Sequence, residues 1–348
     1  MSDIHLAVIG TRNIGRSHIR RAQACPGVRV TAIVEPDAQR RQACAEEFSI
    51  TTTHASSEAC FADPAVDAVV LAVPNHLHAP LSIAAMAAGK HVLVEKPMAT
   101  SVAEAEAMVA ASRQHDRTLM IGMNQRFSPQ VGGLKRLLSD GRLGQIQLAR
   151  CWWNRNRPGA GLWQRGDWFL TKTAAGGGPL IDIGIHRLDQ ALWLLGFPQI
   201  TQVTAHCSYG LGAQEAAARG KRYDVEDAAE VQLQLANGGC LQLSTSYFRN
   251  GPVAESQNLH LFGTAGGCDL GAGSWWQGDH ETPTMLSLPV DDTWPSACVE
   301  HFARVLRGDE ALCATPEQGL LTQRLIACAY DSAQQQRSLP FHHAGDRS

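Results

Sequence analysis

Two short stretches of this chain combine residue types that can move protons. Glu95-Lys96-Pro97 sets a lysine in a rigid turn, and Asp182-Ile183-Gly184-Ile185-His186 sets a carboxylate and an imidazole four residues apart. On a helix that spacing puts Asp182 and His186 on one face, with Asp189 a turn or so further along. Histidine has the intrinsic pKa for taking or giving a proton near neutral pH. Gly184 is a poor helix residue, and its presence between them makes sense if something has to come close. Taken singly these features are ordinary, because most lysines in turns are solvated and a helical histidine beside an aspartate is more often structural than catalytic. Their surroundings single them out. Lys96 directly follows an apolar strand. The Asp182 to His186 stretch follows a triple-glycine run, Gly176-Gly177-Gly178, and leads into Ala191, Leu192, Leu194 and Leu195, a pattern that aims one face at a cleft rather than at bulk water.

A second group of residues suits a dinucleotide. Gly10-Thr11-Arg12-Asn13-Ile14-Gly15 follows the first apolar strand and opens the first helix, which is the context a phosphate-binding glycine loop requires. Gly10 permits the tight turn, Gly15 permits close helix packing, and the helix start at Asn13 and Ile14 presents N–H groups and positive dipole to a pyrophosphate. The middle glycine is replaced by Arg12, so either the phosphates shift or the guanidinium itself contacts them. Glu35 ends the second strand, where a carboxylate accepts hydrogen bonds from an adenosine ribose and repels a 2′-phosphate. NAD is therefore the expected cofactor, with NADP left open by Arg12, Arg40 and Arg41. Pro74, Asn75 and His78 lie at the end of another strand, on the edge where open α/β sheets bind ligands; His78 reads either as a cofactor contact or as a partly exposed first-turn residue. Glu95, expected as a further cofactor contact, and Lys96 share that edge, and a nearby oxidised nicotinamide together with desolvation would lower the lysine pKa.

The elements that must position these groups are legible as periodicities. Residues 5–9, 29–34, 68–73, 91–94 and 119–123 read as strands, and 14–23, 38–47, 78–88 and 102–116 as helices, an alternation that calls for βαβ units and a parallel sheet. Gly89 suits a helix C-terminus, and Ser101 with Glu104 has capping-box spacing. After Met123 the rhythm changes. Ser128-Pro129 starts a helix, 146–153 reads as a strand, and a helix spans about 181–195, closed by Gly196. Residues 230–235 and 240–247 alternate around Asn237-Gly238-Gly239, a hairpin signal. The expected fold is a doubly wound parallel sheet over 1–123 and an α+β domain with an open, mostly antiparallel sheet over 124–348. Closing helices near 297–307 and 318–336 are free to pack back on the first domain.

The composition narrows the partners. In 348 residues, 30 Lys plus Arg against 33 Asp plus Glu, with no long run of one sign, argue against a nucleic-acid or anionic-membrane surface. The opening MSDIHLAVIG enters a strand without a secretory pattern, no membrane span is evident, and the ten cysteines contain no C-x-x-C pair. A cytoplasmic protein with reduced thiols and no metal site is the expectation. Trp152, Trp153, Trp163 and Trp168 are interleaved with Arg150, Arg155, Arg157, Arg165 and Asp167. Indole faces pack on the C–H faces of sugar or cyclitol rings while charged neighbours bond the hydroxyls, so Trp163 and Trp168 are expected to contact substrate. On a strand, at least one of Trp152 and Trp153 belongs to the core.

Together these motifs resemble the Gfo/Idh/MocA family, the glucose-fructose oxidoreductase and inositol dehydrogenase group. The resemblance rests on Gly10 to Gly15, Pro74 to His78, Glu95-Lys96-Pro97, Arg126-Phe127, the triple glycine, Asp182-x-Gly184-x-His186 and Ala329-Tyr330-Asp331-Ser332-Ala333. It implies an N-terminal Rossmann domain and NAD(P)-dependent oxidation or reduction of a sugar, polyol or related carbonyl compound. It implies Lys96, Asp182 and His186 as the catalytic set, and Arg126 joins Trp163 and Trp168 as a substrate contact. A homodimer or homotetramer is implied as well, with the polar sheet face of Glu230, Gln232, Gln234, Gln242, Ser244 and Ser246 either wet or packed face to face. The family also suggests an NAD-dependent glycoside hydrolase or a non-catalytic NAD(P)-binding regulator; the intact Lys96, Asp182 and His186 favour the dehydrogenase.

Overall fold

The computed structural model of the protein describes residues 3–156, 160–278 and 282–343. The chain forms two compact units, Met1–Asn124 with Pro295–Leu320, and Gln125–Trp294 with Leu321–Ser348.

In the first unit the apolar runs become strands β1 (Ile4–Ile9), β2 (Val28–Val34), β3 (Thr52–His54), β4 (Ala68–Leu71), β5 (His91–Glu95) and β6 (Leu119–Gly122), all parallel in the order β3-β2-β1-β4-β5-β6. Val8, Val70 and Leu93 lie side by side and are wholly buried. A strand covered on both faces has no reason to alternate, which is why Ala68–Leu71 is apolar throughout. The strand order reverses between β1 and β4, so the turns after their carboxyl ends diverge and leave a crevice there. Helices Asn13–Gln23, Ala38–Phe48, His78–Ala87 and Val102–Gln114 complete the alternation. The edge strand β3 and the short helix Ser57–Phe61 escaped the sequence reading because Thr52-Thr53-His54 is polar and half out in solvent, without an apolar pattern. Ser101 accepts the Glu104 N–H at 3.3 Å as the capping box requires, but the Glu104 carboxylate reaches back to Thr100, one residue earlier.

The second unit carries a nine-stranded sheet: β7 (Ile146–Arg155), β8 (Ile200–Ser208), β9 (Ala228–Leu235), β10 (Cys240–Ser246), β11 (Glu255–Gly263), β12 (Gly266–Asp269), β13 (Ser274–Gln277), β14 (Thr284–Ser287) and β15 (Leu339–Pro340). Its order is β14-β13-β12-β11-β7-β10-β9-β8-β15; β7 and β10 run parallel and the remaining neighbours antiparallel. The hairpin at Asn237-Gly238-Gly239 pairs Gln234 with Cys240 and turns through a positive φ at Gly238. Period-two alternation then buries Val231, Leu233, Leu241 and Leu243 on one face and leaves Glu230, Gln232, Gln242 and Ser244 on the other. Ser246 departs from the polar face expected of it: it is fully buried, and its hydroxyl bonds Asn154 and the Arg155 carbonyl. Trp152 and Trp153 are each half-buried; Trp153 packs on the core cluster of Leu162, Leu170, Ile183, Tyr247 and Phe248, while Trp152 stands edge-on to His260. The helical stretch expected over 181–195 begins as a π turn, Leu180–Gly184, and continues as the α-helix Ile185–Leu194. No helix among the described residues is long and apolar enough to cross a membrane.

Candidate active site

The dinucleotide loop lies at the carboxyl end of β1. Gly10 has φ +91°, and a Cβ there would lie 2.3 Å from the Ala72 carbonyl oxygen; at Gly15 it would lie 1.8 Å from the carbonyl oxygen of Gly10. Neither position has room for a side chain. Arg12, by contrast, has an ordinary extended backbone (φ −74°), so replacing the middle glycine imposes no strain, and helix Asn13–Gln23 begins without a side-chain cap. Asn13 and Ile14 are exposed at that helix start. An uncapped helix terminus above two side-chain-free positions fits a pyrophosphate.

Glu35 at the end of β2 is buried, and its carboxylate is shared. Oε2 accepts from the Thr11 amide (3.2 Å) and hydroxyl (2.9 Å), tying the glycine loop to β2; Oε1 accepts from the Asp37 amide and from Arg40, at 3.2 and 3.3 Å. Burial works to raise its pKa, but these donors and the Arg40 charge prevail and hold it below the usual carboxylate range. Arg41 turns instead to the carbonyls of Glu35 and Pro36. An ionised carboxylate at this strand end is suited to accept hydrogen bonds from the ribose of a dinucleotide.

Pro74 leads into a short 3₁₀ turn that contains the buried Asn75. His78 corrects the sequence reading on both counts. It is wholly buried, neither a partly exposed first-turn residue nor open to a cofactor, because its ring lies between two carbonyls, with Nδ1 2.7 Å from Pro97 and Nε2 3.0 Å from Val73. Burial outweighs the pull of those carbonyls and of Glu95 and holds its pKa below the ordinary imidazole range. Glu95 likewise points inward: Oε1 meets His18 Nε2 at 2.7 Å and Asn124 at 3.3 Å, and Oε2 accepts the Lys96 amide at 3.3 Å. Lys96 itself is half-buried.

In the second unit, Asp182 sits inside the π turn, whose wider pitch alters the simple i, i+4 relation to His186 expected from a regular helix. Its Oδ2 accepts from the Tyr247 hydroxyl and from Arg165, the latter at 3.2 Å. Burial, then the Asp182 charge, pushes the Tyr247 phenol well above its usual pKa, so it stays a donor. His186 is half-buried, its ring tilted 34° to Trp153 with centroids 5.5 Å apart. A Cβ on Gly184 would lie 3.0 Å from Thr245 Cγ2, tighter than packed side chains usually come.

The triple glycine and the closing motif find a joint explanation. A Cβ on Gly177 would lie 2.1 Å from the Tyr330 hydroxyl, and one on Gly178 2.5 Å from the Glu226 carbonyl. The Glu226 carboxylate, fully enclosed, accepts the amides of Gly178 (2.9 Å) and Leu180 (3.0 Å) and the Tyr330 hydroxyl (2.9 Å). Glu226 and Tyr330 thus hold the start of the segment that bears Asp182 and His186. Sequence reasoning gave neither residue a role, and it missed His18 and Tyr247; the one trace was Tyr330 within the quoted closing motif.

The substrate-contact expectations divide. Arg126 is corrected: its guanidinium is fully buried in a two-point pair with Asp189, Nε to Oδ2 at 2.8 Å and Nη2 to Oδ1 at 2.5 Å, beside Trp193 and Phe197. That geometry makes it a packing element rather than a substrate clamp. Trp163 is half-buried against Phe248 with Arg219 over its ring, and Trp168 stacks on Phe169 at 3.7 Å, half exposed. Arg157 lies outside the described residues. The glycine loop, Glu35, Asn75 and Lys96 thus occupy one edge of the first unit's sheet, while Asp182, His186, Arg165 and Trp153 gather in the second unit. Among the described residues no group of three or more His, Cys, Asp or Glu side chains is arranged to hold a metal ion.

Comparison with known proteins gives this arrangement a context. Residues 4–123 match the profile of an oxidoreductase family with an NAD-binding Rossmann fold, GFO_IDH_MocA, and residues 132–269 match the GFO/IDH/MocA C-terminal domain. The chain is 29% identical over 344 residues to D-glucoside 3-dehydrogenase of Escherichia coli (strain K12), covering 96% of both proteins. It is 32% identical to Inositol 2-dehydrogenase 2 of Saccharopolyspora erythraea, covering 77% of this chain and 73% of that one. Among solved structures, GenD2 from gentamicin A biosynthesis in complex with NAD superposes with a TM-score of 0.80 at 26% identity, over 98% of this chain and 97% of GenD2.

Proposed function

Because this chain belongs to the GFO/IDH/MocA oxidoreductase family, we propose that it oxidises a secondary carbinol of a sugar, cyclitol or related polyol with NAD as partner. The observation that carries the cofactor half of this reading is the Gly10 to Gly15 loop, free of side chains at both glycines and tied through Thr11 to an ionised Glu35. The substrate half is supported by relatives named for glucoside and inositol oxidation.

NAD, when bound, supplies the hydride acceptor; the protein supplies placement and charge. His186 takes the proton of the reacting hydroxyl. Lys96 stabilises the negative charge that develops on that oxygen. Asp182, held by Tyr247 and Arg165, orients the substrate hydroxyl or the imidazole. Gly10, Arg12, Asn13, Ile14 and Gly15 hold the pyrophosphate, Glu35 the adenosine ribose, and Pro74 and Asn75 shape the adjoining edge. Trp163 and Trp168 offer indole faces to the ring of the substrate. The polar face of β7 to β11, a depression of about 880 Å³ lined in part by Arg150, Glu230, Gln232, Ser244, Arg249 and His260, is where self-association would be seated.

A panel of glucosides, inositols, aldoses and acyclic polyols assayed with NAD and NADP tests the reading through the absorbance of reduced nicotinamide. Net reduction of NAD with a cyclic polyhydroxy compound is the expected result. Glycoside cleavage without net reduced cofactor, or turnover confined to acyclic carboxylates, overturns it.

A further inference from the structure

Lys96 hangs from a backbone segment that two buried histidines grip. On one side His18, from helix Asn13–Gln23, places Nε2 2.7 Å from Glu95 Oε1, and the other oxygen of the same carboxylate accepts the Lys96 N–H. On the other side His78 places Nδ1 2.7 Å from the Pro97 carbonyl. The Lys96 amide is thus tied to His18 through Glu95, and the Pro97 carbonyl to His78 directly. Nε2 of His78 also lies 3.0 Å from the carbonyl of Val73, at the start of the Pro74-Asn75 turn.

Neither histidine is an easy resident of its site. Both are buried, and Nδ1 of His18 has no hydrogen-bond partner among the described residues, a state that costs about 1–3 kcal/mol for a buried polar atom. An apolar side chain would avoid that cost but leave Glu95 short of a donor. A lysine side chain has four rotatable bonds, so its ammonium can be placed no better than the backbone from which it extends.

We propose that His18 and His78 are positioning residues for Lys96, His18 acting through Glu95 on its amide and His78 acting on the Pro97 carbonyl. The inference rests on the reading of Lys96 as a catalytic group, and its test separates the two. Glutamine places a terminal amide near the Nε2 position of histidine, and asparagine places one near Nδ1. A crossed pattern follows. His18→Gln can still donate to Glu95 and His18→Asn cannot, whereas His78→Asn can still donate to Pro97 and His78→Gln cannot. Relative to wild type, His18→Asn and His78→Gln should lower kcat roughly tenfold, with substrate KM and the NAD dissociation constant within about twofold, since small misplacement of a catalytic group weighs on the chemical step. The other two variants should keep most of kcat.

Backbone hydrogen exchange in peptides covering residues 95–98 of the cofactor-free protein supplies a readout independent of turnover. It should quicken in His18→Asn and His78→Gln and not in their counterparts, with β1 unchanged in all four. Equal kcat and equal exchange across the four variants overturn the proposal, as does loss of a cooperative melt in either weakened variant, because bracing predicts a local fault. If Lys96→Ala, run in parallel, retains turnover, the catalytic reading of Lys96 fails, while the exchange pattern still decides whether the histidines brace it.

Discussion

At the scale of single residues, the roles proposed for Lys96, His186 and Glu35 each carry a distinct expected phenotype. Lys96→Ala and His186→Ala should each lower kcat roughly a hundredfold or more with NAD binding unchanged, the usual scale for losing a positioned acid–base group. Full turnover in either variant removes that residue from the mechanism. Glu35 should enforce NAD over NADP by about tenfold to a hundredfold in kcat/KM, because its ionised carboxylate would lie against a 2′-phosphate. Arg40 is the nearest counterweight, yet it is already paired with Glu35. A clear NADP preference in steady-state assays would mean that Arg12 or Arg40 overrides the carboxylate. For the substrate, Trp168→Ala or Trp163→Ala should raise KM for a cyclic polyol with little change in NAD affinity. Unchanged KM in both would return these indoles to packing roles, for which Phe169 and Phe248 already provide partners.

At the scale of elements, the segment bearing Asp182 and His186 is fastened at its start by a carboxylate from a distant part of the chain. Glu226 is pushed above the usual carboxylate pKa by burial, despite the two amides and the phenol that donate to it. Removing it strands three buried donors. Glu226→Ala should therefore destabilise the protein by about 3 kcal/mol, taking 1–3 kcal/mol for each buried group left without a partner and allowing for partial relaxation. It should also lower kcat more than it alters KM, since the π turn loses its anchor. Urea unfolding with parallel kinetics checks this, and Glu226→Gln, which keeps an acceptor oxygen, should fall between. A Glu226→Ala protein with wild-type stability and kcat would show that the triple-glycine turn holds itself.

At the scale of the whole molecule, the chain forms two compact units, and in the first burial disfavours the charged form of two histidines. His78 and His91 both have pKa values held below the ordinary 6.5, in each case mainly by burial; Arg117 adds to the effect at His91. The unfolded chain therefore binds more protons than the folded one in the window below pH 6.5, and stability present above that pH is lost as pH falls through it. Glu226, with its raised pKa, works in the opposite sense at the acid end of the window. Calorimetric melting between pH 8 and 5.5 should show Tm declining before most carboxylates titrate, and His91→Gln should flatten the decline. A Tm that holds or rises on acidification would mean the two rings are charged in the folded state.

What the sequence determined by itself was whatever depends on neighbours along the chain. Apolar runs, glycines at strand ends, Ser101 before its helix and the Asn237-Gly238-Gly239 turn act over a few residues, so the parallel sheet, the hairpin and the dinucleotide loop were all legible. The resemblance carried by short motifs joined Lys96, Asp182 and His186 into one expected catalytic set. Tertiary structure alone decided the partners of buried polar groups. Arg126 meets Asp189 across 63 positions, Tyr247 meets Asp182 across 65, and Tyr330 meets Glu226 across 104. A buried charge or hydroxyl has to find its complement wherever the packed chain brings one. That requirement leaves no periodicity, which is why Arg126 and His78 looked like ligand contacts until the fold enclosed them.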